Sequence, residues 1–126
     1  MWPRSPAAIP RARAAPTASG KAGVVMLSRQ LALEWGPSGV RSNVVSPGLI
    51  RTPLSADFYA RPGVAEARAA MVPTRRVGAP PDVADAVVWL ASPRASYVNG
   101  DEITVDGGLG RVLMSLVPRP GFEAAT

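Results

Sequence analysis

Only two short stretches of this chain read as β-strands, and they lie far apart. VRSNVVS (Val40–Ser46) is rich in β-branched residues and stops at Pro47-Gly48; EITVD (Glu102–Asp106) alternates in polarity and runs into Gly107-Gly108. A long connection and a firm helix separate them. A strand, a helix and a second strand in that order predict a parallel pair joined by a right-handed crossover. Two parallel strands make a poor domain by themselves, because parallel sheets bury both faces and need further neighbours. The pattern therefore predicts an α/β fold, of which this sequence holds the closing part.

The helices are marked by their periods and their stops. Lys21–Trp35 (KAGVVMLSRQLALEW) is made of good helix formers, places Val24, Leu27, Leu31 and Trp35 on one stripe widened by Val25 and Ala32, and ends at Gly36-Pro37. The connection over residues 49–80 is punctuated by Pro53, Pro62, Gly63 and Pro73, with short helices expected at Leu54–Ala60 and Val64–Met71. A connection of this length is usually a functional loop or lid. Pro81 opens a second firm helix, with Asp82 and Asp85 near its positive end, Val83, Val87 and Leu90 as its apolar stripe and Ser92-Pro93 as its stop. Asn99-Gly100 is a turn. Residues 1–18, with four prolines, three arginines and no apolar period, read as an irregular leader. Three parts follow: the leader over 1–18, a partial domain over 19–110 and a tail over 111–126.

Composition narrows the function. The 126 residues contain no cysteine and no histidine, which removes disulfide scaffolds, zinc sites, thiol nucleophiles and imidazole-based triads. The net charge of +5 owes +3 to the three arginines of the leader, and the aromatics number seven, so the basic stripe interleaved with aromatics of a nucleic-acid reader is missing. No apolar run reaches the roughly 18 residues of a membrane span, and the first residues lack the apolar stretch of a secretory signal, so a cytoplasmic protein without nucleic-acid or membrane partners is expected. Three other features carry no chemistry. Gly20-Lys21 lacks the upstream glycine and following hydroxyl of a phosphate loop, and Gly108-Leu109-Gly110 lacks a third glycine. Asp101 and Glu102 are adjacent and point to opposite faces of a strand, so no metal site is expected from them and Asp106.

Two long stretches, SGKAGVVMLSRQLALEWGPSGVRSNVVSPGLIRTP and VGAPPDVADAVVWLASPRASYVNGDEITVDGG, resemble in order and spacing the C-terminal half of the short-chain dehydrogenase/reductases. The resemblance implies a Rossmann-type doubly wound sheet with a nicotinamide cofactor, NAD or NADP, across the strand ends. It implies that Lys21 is the lysine of a tyrosine-x-x-x-lysine motif, binding the nicotinamide ribose and lowering the pKa of the tyrosine. It implies that Pro47, Gly48, Ile50 and Thr52 form the turn that meets the nicotinamide carboxamide, and that residues 53–76 are the substrate loop, lined by Phe58, Tyr59 and Met71. The substrate class implied is a small-molecule secondary alcohol or ketone. Homo-oligomers, dimers or tetramers, are implied through the helices over 21–35 and 81–92 and the strand over 102–106.

The chain departs from that pattern in two places. Thr17 stands four residues before Lys21, where the family has its tyrosine, and an aliphatic hydroxyl is a poor substitute for a phenol as proton donor. The glycine-rich phosphate turn, the residue that selects the cofactor and the strand of the catalytic serine have no counterpart. The expectation is a truncated or mis-started product of a longer reductase gene, of oxidoreductase lineage and inactive as this chain. The alternative is a non-catalytic remnant that associates with full-length reductase subunits.

Overall fold

A computed structural model describes residues 14–116, with side chains for residues 19–112. In chain order the elements are α1 (Ala14–Trp35), β1 (Val44–Pro47), α2 (Ala56–Tyr59), α3 (Val64–Met71), α4 (Pro80–Ala91) and β2 (Glu102–Val105). Tight 3-10 turns at Gly36–Ser38, Pro53–Ser55, Pro93–Ala95 and Leu109–Leu116 join or follow them. Two compact units emerge: the residues up to Val44 together with Asn99–Asp101, and the residues Val45–Val98 together with those from Glu102 onward.

The first unit is built on α1. This helix begins at Ala14, earlier than the expected Lys21, and so takes in the last five residues of the expected leader. Pro16 permits this because it lies in the first turn, where a helical N–H has no partner to lose. The rest of the leader, residues 1–13, lies outside the described residues, as do residues 117–126 of the expected tail. The buried face of α1 is shifted from the expected stripe. Ser28 and Ala32 are buried and Val25 and Leu31 half-buried, whereas Val24, Leu27 and Trp35 are exposed. Ser28 Oγ lies 2.8 Å from Ser42 Oγ, and Asn99 donates to the Ala32 carbonyl at 3.0 Å while accepting from the Ser42 amide at 2.9 Å. One polar side chain thus ties the helix to the segment that leads into β1.

The second unit holds the sheet. β1 and β2 are neighbours, and the Val44 amide donates to Asp101 while the Gly48 amide donates to Val105. The two registers advance together, so the pair is parallel, as the strand–helix–strand order predicts. The first strand is shorter than expected, four residues beginning at Val44. α3 covers Val64–Met71, matching the expectation, and the other expected short helix divides into the Pro53–Ser55 turn and α2. α4 packs against β2. Its Leu90 is buried with Ala95, and Val83 and Ala86 are half-buried, but Val87 faces outward. Tyr59 and Val72 complete the buried apolar residues of this unit among those described. No helix among the described residues is long and apolar enough to cross a membrane.

Candidate functional site

The C-terminal end of β1 runs into the Pro47-Gly48 turn, and Gly48 is the residue that lets it do so. A Cβ on Gly48 would stand 2.5 Å from the Asp106 Cβ and 2.7 Å from its Cα, inside any permitted contact. Glycine therefore allows the ends of the two strands to close on each other. On the other strand, Asp106 folds its own turn: its carboxylate accepts from the amides of Gly108 at 2.8 Å and Gly110 at 2.7 Å. Those bonds, Gly110 first, hold its carboxyl below the usual carboxylate range. Gly107 sits at φ 64°, in the left-handed region, with no room for a Cβ between Thr74 and Val72.

Past the turn, Ile50 forms a parallel bridge with Gly78. The Arg51 amide donates to the Gly78 carbonyl at 2.8 Å, and the Gly78 amide to the Leu49 carbonyl at 2.9 Å. This bridge pins both ends of the intervening connection beside the strand end. In such a bridge the bonds come from the flanking residues, so the N–H and C=O of Ile50 itself face the other way. Among the described residues neither has a partner. Thr52 is less free. Its amide donates to Ser55 Oγ at 2.9 Å, Ser55 Oγ donates back to its carbonyl, and the two hydroxyls lie 3.2 Å apart.

The far end of the connection is locked by charge. Arg76 donates two parallel bonds to Asp82, at 2.6 and 2.7 Å, and Asp82 also accepts from the Ala79 amide at 2.7 Å. The guanidinium, and next the Ala79 amide, hold the Asp82 carboxyl well below the usual range, while the carboxylate raises Arg76 further. Arg75, just before, takes a left-handed φ of 57° and donates to the Ala70 carbonyl. A cavity of about 160 Å³ lies at this base, walled by Leu49, Ile50, Thr74, Arg76, Asp82 and Asp106 among others.

Of the residues expected from the sequence, Pro47, Gly48, Ile50 and Thr52 fall together in this one turn of the second unit. Phe58 and Tyr59 are in the same unit on α2, with rings 5.6 Å apart at 85°. Tyr59 is 5% exposed and Phe58 37% exposed. Met71 ends α3 with its side chain exposed. Lys21 and Thr17 lie one turn apart on α1 in the first unit, and the Lys21 side chain is exposed. Arg68, Arg76 and Asp106 were not foreseen as parts of the site. An aspartate directly before two glycines carries a recognisable turn signal for Asp106, whereas Arg68 and Arg76 carry none, since their partners lie six to nine residues away.

The chain is similar over 115 residues, with 46% identity, to 3beta-hydroxysteroid dehydrogenase 1 of Eggerthella lenta, which covers 91% of this chain and 41% of that protein. The chain thus spans about two fifths of that relative's length. Among solved structures it resembles an oxidoreductase of the short-chain dehydrogenase/reductase family from Burkholderia thailandensis, with a TM-score of 0.66, 36% identity, 72% of this chain and 36% of the other. It also resembles 4-hydroxyisoleucine dehydrogenase complexed with NADH, with a TM-score of 0.67, 27% identity, 72% of this chain and 37% of the other. A family model described as enoyl-(acyl carrier protein) reductase matches residues 7–110, most of the chain. With a parallel α/β fold, a glycine-closed strand end and these relatives, the chain belongs to the short-chain dehydrogenase/reductase family of oxidoreductases.

Proposed function

We propose that this chain carries the nicotinamide side of a hydride-transfer site that interconverts a small secondary alcohol and its ketone with NAD or NADP. The observation behind this reading is the unpartnered N–H and C=O of Ile50, set beside a turn that only glycine can close. The one donor and one acceptor of this single residue complement a carboxamide, which offers one acceptor and two donors. The residues present therefore fit that part of the cofactor. When bound, the nicotinamide supplies or receives the hydride.

The chain's own residues then divide the remaining work. Pro47, Gly48 and Ile50 orient the carboxamide, and Thr52 buttresses the turn through its bonds to Ser55 while offering its hydroxyl to the same amide. Lys21 holds the ribose hydroxyls. Thr17 cannot do the work of a phenol, whose pKa of about 10 suits proton exchange with an alcohol oxygen. We therefore assign the 126-residue chain orientation of the cofactor without turnover, because Thr17 stands where the proton donor would be.

The direct test is a thermal melt of the chain with and without millimolar NADH and NADPH, paired with amide exchange at Leu49–Thr52. One cofactor should raise the midpoint and slow exchange of the Ile50 amide. A melt blind to both, with unchanged exchange at Ile50, overturns the reading. A second reading has its own support in the exposed apolar residues Val24, Leu27, Leu33 and Trp35 of α1. Here the chain associates with full-length reductase subunits without catalysing anything. Co-expression with a full-length relative and native mass spectrometry should then give mixed oligomers, and their absence removes this second reading.

A further inference from the structure

The connection between Arg51 and Arg76 holds five arginines against two acids, Asp57 and Glu66. It is therefore the positive part of a chain that is otherwise near balance beyond its first twenty residues. Two of the five are already engaged: Arg76 is paired with Asp82, and Arg75 donates to the Ala70 carbonyl. Arg61 and Arg68 are different. Both guanidinium groups stand over the ring of Phe58, with Cζ 5.8 Å and 4.3 Å from its centroid, and Arg68 also lies 5.4 Å from the Tyr59 centroid. Arg68 Nη1 donates to the Tyr59 hydroxyl at 3.1 Å, and that ring is buried. Neither arginine has a carboxylate within ion-pair distance among the described residues, and neither Asp57 nor Glu66 reaches them.

Aromatic stacking fixes a guanidinium without spending its charge. A guanidinium carries five N–H donors, and Arg68 uses one of them. Two positioned, unneutralised guanidinium groups stacked on one ring each keep N–H donors for an oxygen anion. They are also tied to the turn: Phe58 is six residues beyond Thr52, at most about 20 Å of extended chain and less here because a 3-10 turn and α2 intervene. We infer that Arg61 and Arg68 are specificity-determining residues that bind an anionic oxygen group, a carboxylate or a phosphate ester, on the substrate's end remote from the reacting carbon. This inference rests on the oxidoreductase reading above and names its substrate class: a hydroxy or oxo acid, or a sugar phosphate, in place of a neutral alcohol.

The test uses the full isotope-labelled chain and follows the arginine Nε–H resonances. The probes are 3-hydroxybutyrate with 2-butanol as its neutral counterpart, and glycerol 3-phosphate with glycerol as its counterpart. One of the anions should shift the Arg61 and Arg68 signals saturably, with the neutral counterpart silent at the same concentration. Whichever anion does so identifies the group. Arg68→Gln should weaken that binding at least tenfold, whereas Arg94→Gln, outside the connection, should change it less than twofold. If Arg68→Gln disturbs the fold by circular dichroism, Arg61→Gln serves instead, since that side chain makes no hydrogen bond. Silence with both anions, equal response to neutral probes, or equal losses in the Arg94 variant overturns the inference. The failures separate: NADH protection at Ile50 without anion binding leaves the oxidoreductase reading standing and removes this one. Anion binding without cofactor protection removes the oxidoreductase reading and with it the assignment of the anion to a substrate, leaving only an anion site at Arg61 and Arg68.

Discussion

The Pro47–Thr52 turn and helix α1 are specified in opposite ways. The turn is closed by short-range backbone constraints: a glycine against Asp106, a bridge to Gly78, and a carboxylate that folds the Gly107-Gly108 corner. Every one of those contacts is made inside this chain. α1 runs for 22 residues, yet among those whose side chains are described only Ser28 and Ala32 are buried, and Val24, Met26, Leu27, Leu33 and Trp35 are exposed. Its helicity follows from its residues and its first-unit bonds, while its apolar surface has no counterpart among the described residues. In one molecule, a site-forming corner is held by geometry, while the apolar face of a helix stays exposed among the described residues.

The largest effect should come from breaking the corner. Gly48→Val would force side-chain atoms onto the backbone of Asp106, where even a lone Cβ stands 2.7 Å from its Cα. Relief requires the two strand ends to separate, at a cost on the order of 3 kcal/mol, the upper range for overpacking. The measurement is urea unfolding of the variant beside the parent chain. A loss below 1 kcal/mol would show that the strand ends move apart easily, and the contrast with α1 would collapse.

How much of this was legible in the sequence divides along the same line. Pro47-Gly48, Asn99-Gly100 and Gly107-Gly108 are local punctuation, and they led directly to both strand ends and to the turn. The Val64–Met71 helix was legible because Gly63 precedes it and a proline follows soon after. The start of α1 was not, because a proline in a first helical turn looks in sequence like a proline in a coil. Its buried face was legible only in part, for a different reason. Ala32, Val25 and Leu31 of the expected apolar face do turn inward, but the tie to Ser42 and Asn99 draws Ser28 in beside them, while Val24, Leu27 and Trp35 stay exposed. Hydrophobic period marks what could be buried; it does not say by what. Arg68 was invisible altogether, since its partners Phe58 and Tyr59 are brought to it only when α2 and α3 fold.

A smaller effect, and one that depends on pH, should follow from the lock at the base of the connection. The carboxyls of Asp82 and Asp106 are held below the usual range, the first chiefly by Arg76 and then by Ala79, the second by the amides of Gly110 and Gly108. Below the unfolded carboxyl value of about 3.9 the unfolded chain takes up protons that the folded chain resists. Their contribution is therefore present above about pH 4 and lost as pH falls through the lower folded values. Thermal midpoints followed down from about pH 5 should fall for the parent chain and fall less steeply for Asp82→Asn, which still carries Asp106. Added salt should narrow the difference, because Arg76 is 60% exposed and the pair is open to screening. Identical slopes for the two proteins would mean that the Arg76–Asp82 pair does not hold the base of the connection.

The smallest effect is expected on α1, and its smallness is the point. Leu33 is 74% exposed, while Ala32 beside it is 8% exposed. Leu33→Lys exchanges one good helix former for another, so neither propensity nor packing within the chain changes much. The unfolding free energy should stay within about 0.5 kcal/mol of the parent, as for surface substitutions generally. If the helix face is covered in solution by a second copy or by another subunit, a buried lysine there instead weakens association, read as a shift to smaller species in analytical ultracentrifugation at unchanged urea midpoint. A loss of intrinsic stability above 1 kcal/mol at a concentration where the chain is monomeric would place Leu33 in a core of its own chain. The division between a self-contained corner and an exposed helix face would then have to be abandoned.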